Sequence, residues 1–123
     1  MAKILLVDDQ PHNLRLMLQV IEDIEEDIQV ITATTGIEAL LKARRNTFDL
    51  VLMDIALPDM DGMQATIALR EYEHLKNVPV VAVTACAMLN EEEVFRNFFA
   101  DYVSKPIDED KLSTTIRKWI GDR

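Results

Sequence analysis

The runs Leu50-Val51-Leu52-Met53 and Val80-Val81-Ala82-Val83 are apolar at every position. That restricts the chain more than any other feature. A strand with one wet face alternates polar and apolar residues, so a continuous apolar strand must be covered on both sides, as in a parallel sheet between two layers of helices. Further β-rich runs lie at Lys3 to Val7, Ile28 to Ala33 and Tyr102 to Ser104, and the first and third of the five strands become Lys3 to Val7 and Leu50 to Met53, the fourth Val78 to Val83. Between the strands the apolar residues follow helical period: Leu14, Met17, Leu18 and Ile21; Ile37, Leu40 and Leu41; Leu112, Ile116, Trp119 and Ile120. The pattern is β-α repeated five times. Right-handed crossovers then leave few topologies for an α/β domain.

Punctuation agrees with this division. Pro11 stands near a helix start, Gly36 precedes the second helix, Leu57-Pro58-Asp59-Met60-Asp61-Gly62 forms a loop, and Asn90 followed by Glu91, Glu92 and Glu93 suits a helix N-terminus. At 123 residues, without repeats or linkers, the chain is read as one domain over 1–123. The Met1 start and the Gly121-Asp122-Arg123 ending favour a stand-alone protein.

Charge and composition remove several function classes. Thirteen Lys and Arg against twenty-two Asp and Glu give a net charge of −9, the wrong sign for binding nucleic acid through its phosphates. No apolar run approaches the roughly 20 residues of a membrane span, and no signal peptide precedes the first strand, so the expected location is cytoplasmic. One cysteine, Cys86, cannot form an internal disulfide, and His12 and His74 have no partners at zinc-ligand spacing. A metal site would have to use oxygen ligands.

In open parallel sheets the ligand site lies at the carboxyl ends of the strands, where strand order reverses. There the sequence places Asp8 and Asp9 after the first strand, Asp54 after the third, Thr84, Ala85 and Cys86 after the fourth, and Lys105 and Pro106 after the fifth. Adjacent carboxylates at the end of a buried strand repel each other and resist desolvation, so the pair asks for a cation, whether lysine, metal ion or only solvent. Taken singly, Asp8-Asp9 reads as a solvated turn, Thr84 as a strand-end cap and Lys105 as a surface charge. Taken together they converge on one edge.

The ordered marks Asp8-Asp9, Met53-Asp54, Pro58 with Asp61-Gly62, Thr84-Ala85, and Tyr102 with Lys105-Pro106 resemble the receiver domain of two-component response regulators, from Ile4 to about Ile120. The resemblance implies a flavodoxin-like doubly wound five-stranded parallel sheet, order 2-1-3-4-5, with five flanking helices. It implies that Asp54 is the phosphoacceptor, taking a phosphoryl group from a phosphohistidine. Mg²⁺ would be held by Asp9 and Asp54, by Asp8 through water, and by the backbone carbonyl of Ala56. Lys105 and the Thr84 hydroxyl would meet the remaining phosphoryl oxygens. Thr84 and Tyr102 would form the switch pair, and Lys105-Pro106 would carry a cis peptide. The implied partners are a histidine kinase or histidine phosphotransfer protein and a downstream protein target, with a phosphorylation-dependent homodimer as one form of output.

The resemblance makes the chain a signalling switch and not a conventional enzyme. An aspartate-nucleophile phosphatase is the rival from another class, but it wants a second Asp two residues after the nucleophile as general acid, and that position is Ala56. A degenerate receiver serving only as an interaction surface is the third reading, and it loses weight because Asp9, Asp54, Thr84 and Lys105 are all present. Two departures stand out. The chain is one residue shorter than the common form between Thr84 and Lys105, and Asn97-Phe98-Phe99-Ala100-Asp101 stands where a glycine usually closes the fourth helix. Phe98 suits a left-handed helix end poorly. Phe95, Phe98 and Phe99 are expected mainly to plug the core, with an exposed docking patch as the alternative.

Overall fold

Five strands form one parallel sheet in the order β2-β1-β3-β4-β5: β1 (Lys3–Val7), β2 (Gln29–Ala33), β3 (Leu50–Asp54), β4 (Val80–Thr84) and β5 (Asp101–Ser104). The structure, a computed structural model, describes residues 2–25, 27–85 and 98–121. All five residues of β3 and of β4 are buried: the four apolar ones of each as their unbroken runs demand, and the polar Asp54 and Thr84 at their carboxyl ends with them. The described residues contain four α-helices: α1 (Pro11–Ile24), α2 (Gly36–Arg44), α3 (Gly62–Arg70) and α4 (Glu109–Ile120). A short 3₁₀ turn spans Glu73–Leu75. The remaining expected helix, the start at Asn90 to Glu93, Cys86 and Phe95 lie outside the described residues.

Local chemistry sets the helix ends. Pro11 occupies the first turn of α1, where its missing N–H is not needed. Thr35 caps α2, its Oγ1 accepting from the Glu38 N–H at 3.0 Å, so Gly36 is inside the helix and not ahead of it. Asp61 and Gln64 form a reciprocal capping box on α3. Asp108 caps α4, which carries Glu109 and Asp110 in its first turn, Arg117 and Lys118 in its last, and Gly121 at φ 85° beyond it.

The two faces of the sheet bury separate clusters. Ile4, Leu6, Leu50, Leu52, Val81 and Val83 meet Met17 and Ile21 of α1 and Leu112, Ile116 and Ile120 of α4. Leu5, Val7, Val51, Met53, Val80 and Ala82 meet Ala39 and Ala43 of α2 and Ala65 and Leu69 of α3. The stripe expected of α2 is therefore corrected. Ile37 and Leu41 are 56% and 59% exposed, and the alanines beside them face the sheet. Phe99 is buried in the second cluster, as a core plug should be, with Phe98 half-buried against it edge-on at 4.9 Å. Among the bonds that tie the described residues of the atypical turn, Arg70 Nη1 donates to the Phe98 carbonyl at 3.2 Å, and the Ala100 N–H donates to the Val80 carbonyl at 2.9 Å.

Candidate functional site at the carboxyl edge of the sheet

The Asp8 N–H donates to the Ala33 carbonyl at 3.0 Å, extending the β1–β2 pairing by one residue. This draws Asp8 under the edge. It is wholly buried, whereas Asp9 is exposed. Asp8 Oδ1 accepts from the Gln10 N–H at 2.9 Å, leading into α1. Asp54 ends β3 and is only 2% exposed; its Oδ1 accepts from the Ala56 N–H at 3.2 Å.

Lys105 closes the site from across β4. Its N–H donates to the Thr84 carbonyl at 2.9 Å, and the peptide joining it to Pro106 is cis, as the resemblance implied. Its Nζ lies 3.2 Å from Asp8 Oδ2 and 3.3 Å from Asp54 Oδ1. One ammonium thus stands between two buried carboxylates. The Asp8 contact is close in charge but poorly aligned, since Asp8 Oδ2 accepts no hydrogen bond among the described residues. Burial first, and the charge of Asp8 second, push the Asp54 carboxyl above its ordinary value of 3.8, while Lys105 and the Ala56 N–H pull the other way.

These residues fit a divalent cation. Asp8, Asp9 and Asp54 each offer an oxygen, all within 4.8 Å of one another. One lysine does not balance three carboxylates, and a buried oxygen without a hydrogen bond is a costly arrangement that a cation would relieve. A hydrated, all-oxygen site suits Mg²⁺. Ala56 follows Asp54 in a loop closed by a bridge from Ala56 to Asp61, beside the carboxylates.

Thr84 ends β4, buried at 6%, one residue beyond the Val83 that faces Asp54 in the register. Tyr102 sits opposite Ala82 in β5, half-buried. Strand alternation puts Thr84 and Tyr102 on the same face, that of α2 and α3. His12 and His74 are exposed, and His74 lies 2.8 Å from the Ala43 carbonyl.

Two contributors escape sequence reasoning. The first is the backbone approach at Gly62, where a Cβ would run into the Asp54 carbonyl oxygen; the turn reading of Asp61-Gly62 gives no hint of it. The second is Asp59, whose Oδ1 and Oδ2 accept from the Gly36 and Ile37 N–H groups at 2.8 and 2.9 Å. Neither partner is near in sequence.

A doubly wound sheet of order 2-1-3-4-5 with three acids and a lysine gathered at its carboxyl edge defines a flavodoxin-like domain. The response regulator receiver domain model matches residues 4–117, and the chain belongs to that family. It is 41% identical over 123 residues to the sensor protein GacS of Pseudomonas syringae pv. syringae, covering 97% of this chain but only 13% of that protein. To the polar-differentiation response regulator DivK of Brucella ovis it is 38% identical over 120 residues, covering 97% and 96% of the two chains. The receiver domain of the sensor histidine kinase PA1611 of Pseudomonas aeruginosa, solved with magnesium in its active site cleft, superposes with a TM-score of 0.86 at 33% identity, covering 98% of each chain. The chain is therefore a receiver module of two-component signalling, a class that accepts a phosphoryl group on an aspartate.

Proposed function

We propose that Asp54 accepts the phosphoryl group, from a phosphohistidine of a histidine kinase or phosphotransfer protein, and that the chain is a signalling switch. The observation that carries this is the buried Asp54 carboxylate with Lys105 Nζ at 3.3 Å and oxygens of Asp8, Asp9 and Asp54 within 4.8 Å of one another. An Asp54 oxygen forms the new O–P bond, the P–N bond of the phosphohistidine breaks, and the imidazole leaves with the electron pair. The Lys105 contact and the Ala56 N–H both engage Oδ1, which orients the carboxylate before transfer. Lys105 then neutralises a phosphoryl oxygen, and the Thr84 hydroxyl donates to another. Asp9, Asp54 and the Ala56 carbonyl, with Asp8 acting through water, would hold Mg²⁺, which would supply the remaining neutralisation of charge.

Recruitment of Thr84 toward the phosphoryl group frees room on the face it shares with Tyr102, and the tyrosine turns inward, changing the surface that a downstream protein or a second copy meets. On this proposal the chain acts in the cytoplasm, beside the kinase that charges it. Intact mass after incubation with acetyl phosphate and Mg²⁺ tests the assignment. One added phosphoryl group in the wild type and none in Asp54→Asn are expected. An unchanged wild-type mass, or equal labelling of the variant, would return the chain to the interaction-surface reading.

A further inference from the structure

The loop between β3 and α3 carries Ala56, and its outer tip is held by a helix to which it is not connected. Near the sheet the loop is closed by the Gly62 N–H donating to the Ile55 carbonyl at 2.8 Å and by the Ala56–Asp61 bridge. Beyond that bridge lie Leu57 to Met60, where the Asp59 carboxylate receives both the Gly36 and the Ile37 N–H groups of α2. These are free amides of a first helical turn, and a carboxylate is their best acceptor because the helix N-terminus carries partial positive charge. The two bonds hold Asp59 below the ordinary carboxylate range despite its full exposure. Met60 adds an apolar lock: its side chain occupies the space that a Cβ on Gly36 would need.

We propose that Asp59 is a positioning residue for the phosphoryl and metal site. By clamping the loop tip to α2 it holds the Ala56 peptide, whose N–H orients Asp54 Oδ1, in register with the acids of β1 and β3. The inference rests on the reading of the edge as a Mg²⁺-dependent phosphoacceptor site. The division of labour at α2 makes it testable. Thr35 caps the same helix from within, its Oγ1 accepting from the Glu38 N–H at 3.0 Å and not from a loop amide. Removing Thr35 Oγ1 weakens α2 alone, whereas removing the Asp59 carboxylate weakens α2 and releases the loop.

The experiment compares Asp59→Ala, Asp59→Asn and Thr35→Ala by isothermal titration with Mg²⁺ alone, and by initial phosphorylation rate with acetyl phosphate at limiting and saturating Mg²⁺. Asp59→Ala should raise the Mg²⁺ Kd about tenfold, the low end for groups that support a metal ligand, and Thr35→Ala by less than about twofold. The Asp59→Ala rate should fall at limiting metal and recover at saturation. Asp59→Asn, which keeps one accepting oxygen, should fall between wild type and Asp59→Ala, and it decides the matter if the alanine variant does not fold. Equal Kd in wild type and both Asp59 variants, or equal shifts in Asp59→Ala and Thr35→Ala, overturns the positioning role while leaving the site intact. A wild type that neither binds Mg²⁺ nor takes up phosphate overturns the site reading and this inference with it.

Discussion

The two faces of the sheet are covered in opposite ways. On one, the 14-residue α1 and the 12-residue α4 bury large side chains, Met17, Ile21, Leu112 and Ile116. On the other, among the described residues, the nine-residue helices α2 and α3 approach mainly through Ala39, Ala43 and Ala65, with Leu69 the one large side chain of theirs that is fully buried, and Ile37, Leu41 and Ile67 remain 54 to 59% exposed. Small residues let a helix backbone lie close to the strands, and it is on this face that the β3–α3 loop reaches α2 through Asp59. The first face is a core filled by volume. The second is a core thinned by alanine, with the site's loops fastened to it.

If that contrast is right, the faces fail under opposite substitutions. Ile116→Ala should have the largest effect, a loss of about 3 kcal/mol from a cavity that rigid neighbours cannot close. Urea unfolding with an unchanged slope would measure it. A loss below about 1 kcal/mol would mean that the α1–α4 face is loosely packed. Ala39→Leu comes next: enlargement on the close-packed face should cost about 2 kcal/mol through overpacking. A neutral result would break the contrast.

The third effect is smaller and of opposite sign, and it concerns the edge where both faces meet. Because the Asp54 carboxyl is held above 3.8, the folded state binds that proton more tightly than the unfolded chain. Its ionisation therefore weakens folding as pH rises through the raised value. Asp54→Asn removes this penalty, so in chelator it should be more stable than wild type near pH 7, and the gain should vanish below about pH 4, where the acid is protonated in both states. A gain that persists at pH 3 would point away from charge as its cause. Smallest of all, Leu41→Ala on the exposed side of α2 should change stability by less than about 0.5 kcal/mol in the same urea assay. A loss like that of Ile116→Ala would show that this side chain is covered in solution.

Much of the fold was legible in the residues. The continuous apolar runs identified the parallel sheet, and the expected strands agree with the observed ones to within two residues at their ends. The site positions Asp8, Asp9, Asp54, Thr84 and Lys105 followed once ligands were assigned to the carboxyl ends of strands, because local sequence controls where a strand stops. Periodicity did not say which apolar residues of α2 face inward. Ile37, Leu40 and Leu41 carry the helical period as well as Ala39 and Ala43 do, and the choice belongs to the available depth above the sheet.

What the sequence determined by itself is the set of elements, their parallel arrangement and the chemistry gathered at one edge, since short-range pattern and the rules of crossover connection suffice for these. Only the tertiary structure decided how that chemistry is divided. Asp8 and Asp9 are identical neighbours in the chain, yet one is buried against Lys105 and the other exposed, because the pairing with Ala33 turns the first beneath the sheet edge. Gly62 meets the Asp54 carbonyl, and Asp59 meets amides 22 and 23 residues away. Contacts between parts of the chain so far apart come into being only when the helices settle on the sheet, and no local pattern encodes them.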